Sequence, residues 1–569
     1  MNKKTGNYLR YRLVSFFILL ALGFILTRIF ALSVLKHSFY TALAQDQHQV
    51  LAKLVPKRGT IFIQEKGEIY HPLATNRDYQ TVFLVPKEIE DKELAAEKLS
   101  GLLGVAPDEI LKKLSDPNDP YEPLKSKLED ETAAQIKKLK LKGVHLTSES
   151  WRWYPQNNLA SHILGFVGVR DSQKIGQYGL ESYYENELAG QSGFLKSEKD
   201  ALGRWLLLSD YNLEPAQDGA NLYLTLDQNI QYFVEQKLKA VKEKWGAAGG
   251  NVIIMEPKTG AIRAMSSLPD FNPNEYNKIK EINVFLNTCI QKIYEPGSVF
   301  KPITMAAALD SNKVSPQTTF VDTGSITIGN YTIQNAQNKV YGLSTMTQVL
   351  EKSINTGAVF AGRQIGGEVF QKYIEAFEFD KLTGIDLTGE ISGNLTNLKE
   401  GREIGYATAA FGQGIAITPL QIVTALGAIA NEGKMMKPYL VEKITYPDGK
   451  ESKTQPEIIA HPISPQTANK LTAMLVSTVR NGYDKIKISN YFIAGKTGTA
   501  QIPNANSRGY SEDTIHTFIG YAPAYNPKFL IYLKLEQPHG IRFASESLSS
   551  VFAEIAQYLF NYYQIAPDE

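Results

Sequence analysis

The first strong pattern along the chain is an apolar stretch near its beginning. Residues 13–35 are almost all apolar, and this is about the length that one helical crossing of a bilayer requires. Basic residues precede the stretch, and no acidic residue comes before Asp46. Because positive charge stays on the cytoplasmic side, the pattern predicts a cytoplasmic tail at 1–12, a transmembrane anchor at 13–35 and an external remainder.

A cleaved signal peptide is the alternative for this segment. Ala42-Leu43-Ala44 has the small-x-small pattern of a cleavage site. The apolar stretch is, however, longer than the roughly 7–15 residues of a signal peptide, and the site lies beyond its end. The pattern therefore favours an uncleaved anchor.

Residues 36–215 mix strand and helix patterns. Runs rich in β-branched and aromatic residues, such as 59–63 and 81–85, predict strands. Apolar residues at helical spacing predict a helical insertion near 88–142, and its charged part from Lys125 to Leu141 predicts a helix with a solvated face. We interpret 36–215 as an elongated α/β domain, called the pedestal below.

Strand patterns flank a mainly helical middle in the remaining residues, 216–569. A turn-forming cluster near 212–219 marks the boundary. The order of the elements predicts an α+β domain in which one sheet packs against helices. Strands are predicted at 221–226, 251–255, 261–265, 491–501, 517–522 and 529–535, and helices at 228–241, 299–309, 345–354, 419–431 and 548–562.

Composition narrows the possible functions. The net charge of +1 gives no whole-molecule reason to expect nucleic-acid binding. The single cysteine, Cys289, rules out an intrachain disulfide, and it is more typical of a buried small side chain than of a reactive thiol. The scattered histidines form no metal-binding pattern, so we expect no metal and no cofactor.

The candidate chemistry begins at Ser298-Val299-Phe300-Lys301. A serine and a lysine three residues apart on a helix share one face. A hydroxyl needs an adjacent base to act as a nucleophile, and burial or a neighbouring cation can lower the pKa of a lysine enough to make it that base. Pro296-Gly297 predicts a turn, so Ser298 would open the helix with a free backbone N–H suited to an oxyanion. Alone, the pair is more typical of a serine that only caps a helix than of a catalytic pair.

Two further motifs follow in the order that the serine chemistry needs. In Ser353-Ile354-Asn355, the hydroxyl can pass a proton and the amide can contact both Lys301 and a substrate. The residues from Lys496 to Thr499 follow a strand-like run. There, charged and hydroxyl groups can hold a carboxylate, and the small Gly498 permits close backbone approach. If this strand lies at a sheet edge, a peptide can pair along it.

Neither later motif is specific without that order. Lys258-Thr259-Gly260 repeats the same tripeptide, but it lies in a predicted turn ahead of the serine. Gly412-Gln413-Gly414 is not a phosphate loop, because no strand–loop–helix unit surrounds it.

Taken in order, these motifs resemble those of the class B penicillin-binding proteins. The resemblance extends to three pedestal motifs and covers nearly the whole chain beyond the anchor. In the first motif, Gln64-Glu65-Lys66-Gly67 departs from the usual Asp-Arg-Asn-Gly. The matching segments are Arg58–Ile61 with Leu73–Asn76, Arg152–Pro155 with His162–Gly165, Gly176–Glu181 with Leu188–Gly190, Leu224–Asp227 and Phe411–Gln421.

The resemblance implies a penicilloyl-serine-transferase (β-lactamase-like) fold, with an antiparallel sheet between helices, and a peptidoglycan D,D-transpeptidase activity. Ser298 would be the acylated nucleophile and Lys301 its base, and Ser353 would be the proton shuttle. The backbone N–H groups of Ser298 and Thr499 would form the oxyanion hole. The substrate-binding residues would be Asn355, Lys496, Thr497, Gly498 and Thr499.

The same resemblance implies the partners and the location. Stem peptides ending in D-Ala-D-Ala would be the substrates and β-lactams the inhibitors. The protein would lie in the bacterial cytoplasmic membrane with its catalytic domain outside. It would work with a membrane glycan polymerase and with divisome proteins, or with elongasome proteins if it builds lateral wall. The sequence Tyr294–Ser298 and the segment Phe411–Gly414 resemble the septal branch of the family more than the lateral branch. We also expect Arg58 and Glu181 to pair across the pedestal, unless each serves only at the surface.

Other enzymatic and non-enzymatic functions stay open at this point. A bifunctional enzyme would need a further glycosyltransferase domain, and the pedestal occupies that length. A β-lactamase or carboxypeptidase would need a positioned water, for which no clear glutamate-bearing loop is found. A β-lactam sensor or a division scaffold would keep the fold without turnover.

Overall fold

The computed structural model describes residues 49–66, 69–170, 173–198, 212–486, 488–504 and 509–568, with isolated positions between 16 and 27. Apart from those positions, the predicted tail and anchor lie outside the described residues, as does Gly67. Among the helices of the described ranges, none has both the length and the apolar character needed to cross a bilayer.

Strands occur along the whole described chain, which ends in a helix. The strands are β1 (Gln49–Leu54), β2 (Ile61–Glu65), β3 (Ile69–Leu84), β4 (Glu122–Leu128), β5 (Val144–Trp153), β6 (Phe166–Arg170), β7 (Gln173–Gln177), β8 (Gly193–Glu198), β9 (Asn212–Glu214), β10 (Asn221–Asp227), β11 (Gly249–Met255), β12 (Ile262–Leu268), β13 (Thr319–Asp322), β14 (Ser325–Ile328), β15 (Tyr331–Gln334), β16 (Gly342–Thr345), β17 (Met435–Met436), β18 (Val441–Thr445), β19 (Glu451–Lys453), β20 (Ile458–Ala460), β21 (Ala494–Pro503), β22 (Tyr510–Ala522) and β23 (Phe529–Glu536).

The α-helices of the described ranges are short in the first part of the chain and longer in the second. They are α1 (Lys92–Leu103), α2 (Pro107–Lys113), α3 (Asp130–Lys138), α4 (Ser161–Leu164), α5 (Gly179–Tyr183), α6 (Glu185–Ala189), α7 (Gln228–Lys244), α8 (Lys301–Asp310), α9 (Met346–Glu351), α10 (Asn355–Ile365), α11 (Gly367–Ala376), α12 (Thr396–Lys399), α13 (Glu403–Ala409), α14 (Pro419–Ala430), α15 (Pro465–Gly482), α16 (Ala544–Ser547) and α17 (Ser549–Tyr563).

A five-stranded antiparallel sheet organises the second half of the chain. Its order is β12-β11-β23-β22-β21, so β21 lies at an edge. Alternate side chains of β23 enter two different apolar clusters: Tyr532 faces one, and Leu533 faces the other. The first cluster contains the buried face of α14, and the second contains those of α7 and α17. The predicted sheet between helices is therefore confirmed.

A seven-stranded sheet joins strands from distant parts of the sequence. Its order is β19-β18-β10-β2-β3-β4, and β5 pairs with β3. The strand β10 is parallel to β2 and antiparallel to β18. Strands on either side of the predicted boundary at 215/216 thus share one sheet, and the division at that position stays a prediction.

The predicted charged helix from Lys125 to Leu141 is wrong in its first part. Residues 122–128 form β4, which pairs with β3, and the helix α3 begins only at Asp130. Along β4 the exposed positions alternate with less exposed ones up to the buried Leu128, which is the period of a strand. The high charge of this stretch hides that alternation when only helical spacing is considered.

The predicted contact between Arg58 and Glu181 is confirmed, and it belongs to a larger buried cluster. Glu181 is fully buried and accepts hydrogen bonds from Arg58 Nε at 2.7 Å and from Arg152 Nε at 2.6 Å. Arg58 also pairs with Glu185 at 2.7 Å. Burial alone would raise the pKa of the Glu181 carboxyl, but the two guanidinium groups outweigh it and hold this pKa below its usual range.

The described residues 49–57, 190–198 and 212–218 belong to a separate compact unit. Within it, β1, β8 and β9 form a three-stranded antiparallel sheet in the order β1-β8-β9. The backbone N–H of Lys57 donates to Asp218 Oδ1 at 2.8 Å, which ties the two segments of this unit together.

Candidate active site

Ser298 lies on a tight turn that leads directly into α8. Residues Gly297–Phe300 form a 3₁₀ turn, and α8 begins at Lys301 with Pro302 in its first turn, where a missing N–H is tolerated. Gly297 has a φ of 58°, a conformation that favours glycine. Ser298 lines a cleft of about 1390 Å³, and its hydroxyl has no hydrogen-bond partner among the described residues. The predicted nucleophile therefore faces open space.

Lys301 lies beneath this turn and is almost completely buried. Its Nζ donates hydrogen bonds to the Ser353 carbonyl at 2.6 Å, to Ser353 Oγ at 3.1 Å and to Asn355 Oδ1 at 2.8 Å. Burial, together with the nearby Lys496 cation, lowers the pKa of Lys301 well below its usual value. A neutral amine, the form that a base requires, is therefore accessible at this position.

Ser353 bridges the two lysines of the predicted site. Its Oγ lies 3.1 Å from Lys301 Nζ and 3.0 Å from Lys496 Nζ. The residue occupies the loop between α9 and α10 with a φ of 55°, which costs a non-glycine residue on the order of 1–3 kcal/mol. The hydrogen bonds to its carbonyl and hydroxyl help to hold this conformation. Ser353 thus has the two contacts that a proton shuttle between cations would need.

A buried network that the sequence did not reveal fixes Asn355. The backbone N–H groups of Asn355 and Thr356 donate to Asn335 Oδ1 at 3.0 and 3.1 Å. Asn335 Nδ2 in turn donates to both carboxylate oxygens of Asp322 at 2.9 Å. Asp322 also accepts from the Thr356 hydroxyl at 2.6 Å. The start of α10, and with it the Asn355 side chain, is held from behind by these groups.

Lys496 lies on β21 and is completely buried. Its Nζ donates to Ser353 Oγ at 3.0 Å, to the Tyr483 hydroxyl at 3.1 Å and to the Thr497 carbonyl at 3.1 Å. The Thr497 hydroxyl donates to the same Tyr483 oxygen at 2.8 Å. The predicted contact of Lys496 and Thr497 with a substrate carboxylate stays a prediction, because their polar atoms here are engaged with protein groups.

The predicted residues divide between the surface of the cleft and the layer behind it. Ser298, Asn355 and Thr499 line the cleft, whereas Lys301 and Lys496 lie behind it. Thr499 Oγ1 accepts a hydrogen bond from the Ala544 backbone N–H at 3.0 Å, and β21 carries Thr499 at the edge of the sheet. An extended peptide in the cleft would therefore find the free side of a strand next to Ser298.

Gly498 is required by the packing of β21 against the turn that carries Ser298. A Cβ at this position would lie 2.4 Å from Thr517 Oγ1, 3.0 Å from Val299 Cγ1 and 3.1 Å from the Pro296 carbonyl oxygen. The sequence predicts that another chain can approach the backbone closely at Gly498. In the structure, the groups that approach Gly498 closely belong to the protein itself.

Gly412 supports the same turn from another side. The Gly297 N–H donates to the Gly412 carbonyl at 2.8 Å, and a Cβ on Gly412 would lie 2.1 Å from the Gly297 oxygen. Gly414 N–H donates to Glu295 Oε1 at 3.0 Å, and the Tyr510 hydroxyl donates to Glu295 Oε2 at 3.0 Å. The glycine-rich segment after α13 therefore positions the nucleophile turn.

Sequence reasoning missed Tyr483, Asn335, Asp322 and Glu295. Glu295 lies beside a motif and was within reach of that reasoning. The other three act through hydrogen bonds between different elements, to residues 13 to 34 positions away, and no local pattern marks them.

Comparisons with known proteins identify the family of this chain. The family described as the penicillin-binding protein transpeptidase domain matches residues 250–557, and the penicillin-binding protein dimerisation domain matches residues 53–224. Stage V sporulation protein D of Bacillus subtilis is 34% identical over 88% of this chain and 77% of its own length. Peptidoglycan D,D-transpeptidase FtsI of Escherichia coli is 27% identical over 98% of this chain and 92% of its own.

A solved structure supports the fold. Penicillin-binding protein 2X of Streptococcus thermophilus superposes with a TM-score of 0.74, covering 90% of this chain and 80% of that one, at 22% sequence identity. The arrangement of elements around the cleft is therefore shared with a protein of that name.

Proposed function

This chain belongs to the class B penicillin-binding proteins, and from that premise we propose that Ser298 is the nucleophile of its peptidoglycan D,D-transpeptidase activity. The observation that carries the assignment is the continuous contact from Lys301 through Ser353 to Lys496 behind a serine with an unpaired hydroxyl. Such a constellation supplies a base, a proton path and a nucleophile.

Acylation uses the groups behind the cleft. Lys301, as the neutral amine, takes the proton of Ser298 Oγ while that oxygen bonds to the carbonyl carbon of the penultimate D-Ala. The backbone N–H groups of Ser298 and Thr499 stabilise the oxyanion. The carbon–nitrogen bond to the last D-Ala then breaks, and the departing amine receives the proton from Lys301 through Ser353 Oγ.

The second half of the reaction reverses this proton path. An amine of a neighbouring stem peptide attacks the ester carbonyl, and its proton passes through Ser353 and Lys301 back to Ser298 Oγ. A new amide bond forms, the carbon–oxygen bond to Ser298 breaks, and one D-Ala has been released for each cross-link. β-Lactams would acylate Ser298 by the same first step.

The substrate peptide would pair with the edge strand β21. This strand ends its sheet, and the neighbouring Thr499 and Asn355 line the cleft. We assign the terminal carboxylate to the hydroxyl groups of Thr497 and Thr499 with the charge of Lys496 behind them. Reaching Thr497 requires a small shift from its present bond to Tyr483.

The location and the macromolecular partners are also proposals. Residues 13–35 anchor the chain in the cytoplasmic membrane with residues 1–12 inside, as their apolar character and the preceding positive charges suggest. A transpeptidase without its own polymerase domain needs a membrane glycan polymerase to supply substrate.

Septal rather than lateral synthesis is proposed from the sequence around Ser298 and from Phe411–Gly414. Depletion would then give filamentous cells, whereas a loss of rod shape would identify a lateral role.

The experiment that tests the activity supplies the full chain with nascent glycan carrying pentapeptide stems and follows the products by mass spectrometry. The unsubstituted protein should form cross-linked dimers and release D-Ala in equal amounts, and Ser298→Ala should form none. Ser311→Ala, at the other end of α8, is the matched control and should behave as wild type. Release of D-Ala without cross-links would contradict the proposal and identify a carboxypeptidase.

A further inference from the structure

Tyr483 lies behind the proton path and is not part of any predicted motif. It follows the last residue of α15, and its ring is buried and packs edge-on against Phe518 at 5.9 Å between ring centroids. Its oxygen accepts hydrogen bonds from Lys496 Nζ at 3.1 Å, from the Thr497 hydroxyl at 2.8 Å and from the Thr497 backbone N–H at 3.2 Å. Three donors from β21 thus converge on one phenol oxygen.

The electrostatics of this oxygen favour its role as an acceptor. Burial alone would raise the pKa of the Tyr483 hydroxyl, but the Lys496 charge and the bonds from Thr497 outweigh burial, so this pKa lies below its usual value. The Tyr483 oxygen is therefore a suitable acceptor directly beside the fully buried Lys496.

Lys496 has no spare acceptor if this oxygen is removed. An ammonium group has three N–H donors, and here they are directed at Ser353 Oγ, Tyr483 and the Thr497 carbonyl. A buried charged donor without a partner is costly, so Nζ would move toward another acceptor. Because the bond to Ser353 is one of only three, such a move would disturb the proton shuttle.

We propose that Tyr483 is a positioning residue for the acyl-transfer reaction: it accepts one N–H of Lys496 and thereby fixes this cation against the Ser353 hydroxyl. The proposal rests on the proposed function of Ser353 as the shuttle. Neither Tyr483 nor Lys496 lines the cleft, so we expect the effect on proton transfer to exceed any effect on binding, which would come only through the bond of Thr497 to Tyr483.

The test removes one oxygen atom by Tyr483→Phe. Stopped-flow acylation by a fluorescent penicillin separates the non-covalent binding constant from the acylation rate constant. We expect the acylation rate constant to fall ~10-fold or more, since a hydrogen bond to a charged group is lost, while the binding constant changes by a smaller factor than the rate constant.

The matched control is Tyr521→Phe. Tyr521 is fully buried, and its hydroxyl bonds to Thr472 of α15 at 2.7 Å, so the substitution removes the same atom from the same neighbourhood without touching Lys496. We expect it to leave both constants unchanged. If both tyrosine variants lower rate and binding alike, the effect is general destabilisation and the proposal fails.

A double-mutant cycle shows whether Tyr483 acts through the shuttle. In a Ser353→Ala background, Tyr483→Phe should cause little further loss, because the group that Lys496 contacts is already absent. The same fold-loss in both backgrounds would overturn the proposal.

A crystal structure of the Tyr483→Phe variant gives a readout that does not require activity. We expect Lys496 Nζ to leave hydrogen-bond distance of Ser353 Oγ, and a retained 3.0 Å contact would overturn the proposal. If the unsubstituted protein is never acylated, the proposed function fails, but this structural comparison still decides the role of Tyr483.

Discussion

The pairing of two lysines around one serine determines what Ser298 can do. Both cations are buried, and each would repel the other's charge. Burial, together with the repulsion from Lys496, lowers the pKa of Lys301 well below its usual value. Both lysines contact Ser353 Oγ, and Lys301 is the one suited to accept a proton.

Lys301→Gln tests the role of Lys301 as the base. We expect acylation by penicillin to fall by ~10²–10⁴-fold, the usual contribution of a general base. In the unsubstituted protein the rate should rise with pH as Lys301 loses its proton, and the variant should lack this rise because the titrating group is absent. Lys352→Gln, an exposed neighbour of Ser353, is the control and should keep the wild-type profile.

At this scale the sequence predicts the residues of the ordered motifs better than the residues that hold those motifs in place. Ser298, Lys301, Ser353, Asn355 and Lys496 belong to ordered motifs, and the structure brings them together. Tyr483, Asn335 and Asp322 could not be predicted, because one tyrosine, asparagine or aspartate among many becomes significant only when the fold places it against a motif.

Secondary-structure elements converge on the nucleophile turn by close backbone packing. The turn at Gly297–Phe300 is confined by β21 at Gly498 and by the segment at Gly412, both of which have no room for a Cβ. The long buried elements, such as α14 and β23, were predictable from apolar runs and capping residues. The start of β4 was not, because its alternation is carried by weakly apolar and charged side chains.

Glu235 links two elements through a carboxyl with a perturbed pKa. It lies on α7, is buried, and accepts hydrogen bonds from the Ala160 backbone N–H at 2.9 Å and from Gln231 at 2.8 Å. Burial outweighs these bonds and raises its pKa from 4.5 to about 7. The folded state therefore binds this proton more tightly than the unfolded state does, and stability is lost as pH rises toward 7.

Glu235→Gln should remove that pH-dependent loss. The difference between the unfolded-state and folded-state pKa values of Glu235 corresponds to about 3 kcal/mol of unfolding free energy. At pH 8 the variant should therefore unfold at a higher denaturant concentration than wild type. At pH 4, where both carry a neutral side chain, the two midpoints should coincide. A variant that is less stable than wild type at pH 8 would contradict this account. Chemical denaturation followed by fluorescence measures the unfolding midpoints of both proteins at each pH.

At the scale of the whole molecule, one sheet and one ion cluster bind distant segments of the chain together. The sheet containing β2, β10 and β18 draws strands from across the sequence. The cluster of Arg58, Arg152 and Glu181 secures neighbouring segments through buried charges. Non-local pairing of this kind is invisible in local periodicity, and only the resemblance of the pedestal motifs pointed to the pair of Arg58 and Glu181.

Glu181→Gln should therefore destabilise the protein strongly. Removing the charge leaves two buried guanidinium groups without their shared partner, which typically costs roughly 3–5 kcal/mol. The control is Glu90→Gln, which breaks an exposed pair with Lys142 and should leave the unfolding midpoint unchanged. Equal midpoints for the two variants would contradict a structural role for the cluster.

The central claim is that Ser298 forms a long-lived acyl-enzyme, and intact-mass measurement after incubation with a fluorescent penicillin tests it most directly. We predict one adduct of the full penicillin mass on the unsubstituted protein, none on Ser298→Ala, and decay that is slow compared with its formation. An adduct that persists in Ser298→Ala, or the absence of any adduct on the unsubstituted protein, would contradict the assignment of the nucleophile. Rapid loss of the adduct would contradict the transpeptidase and indicate a β-lactamase.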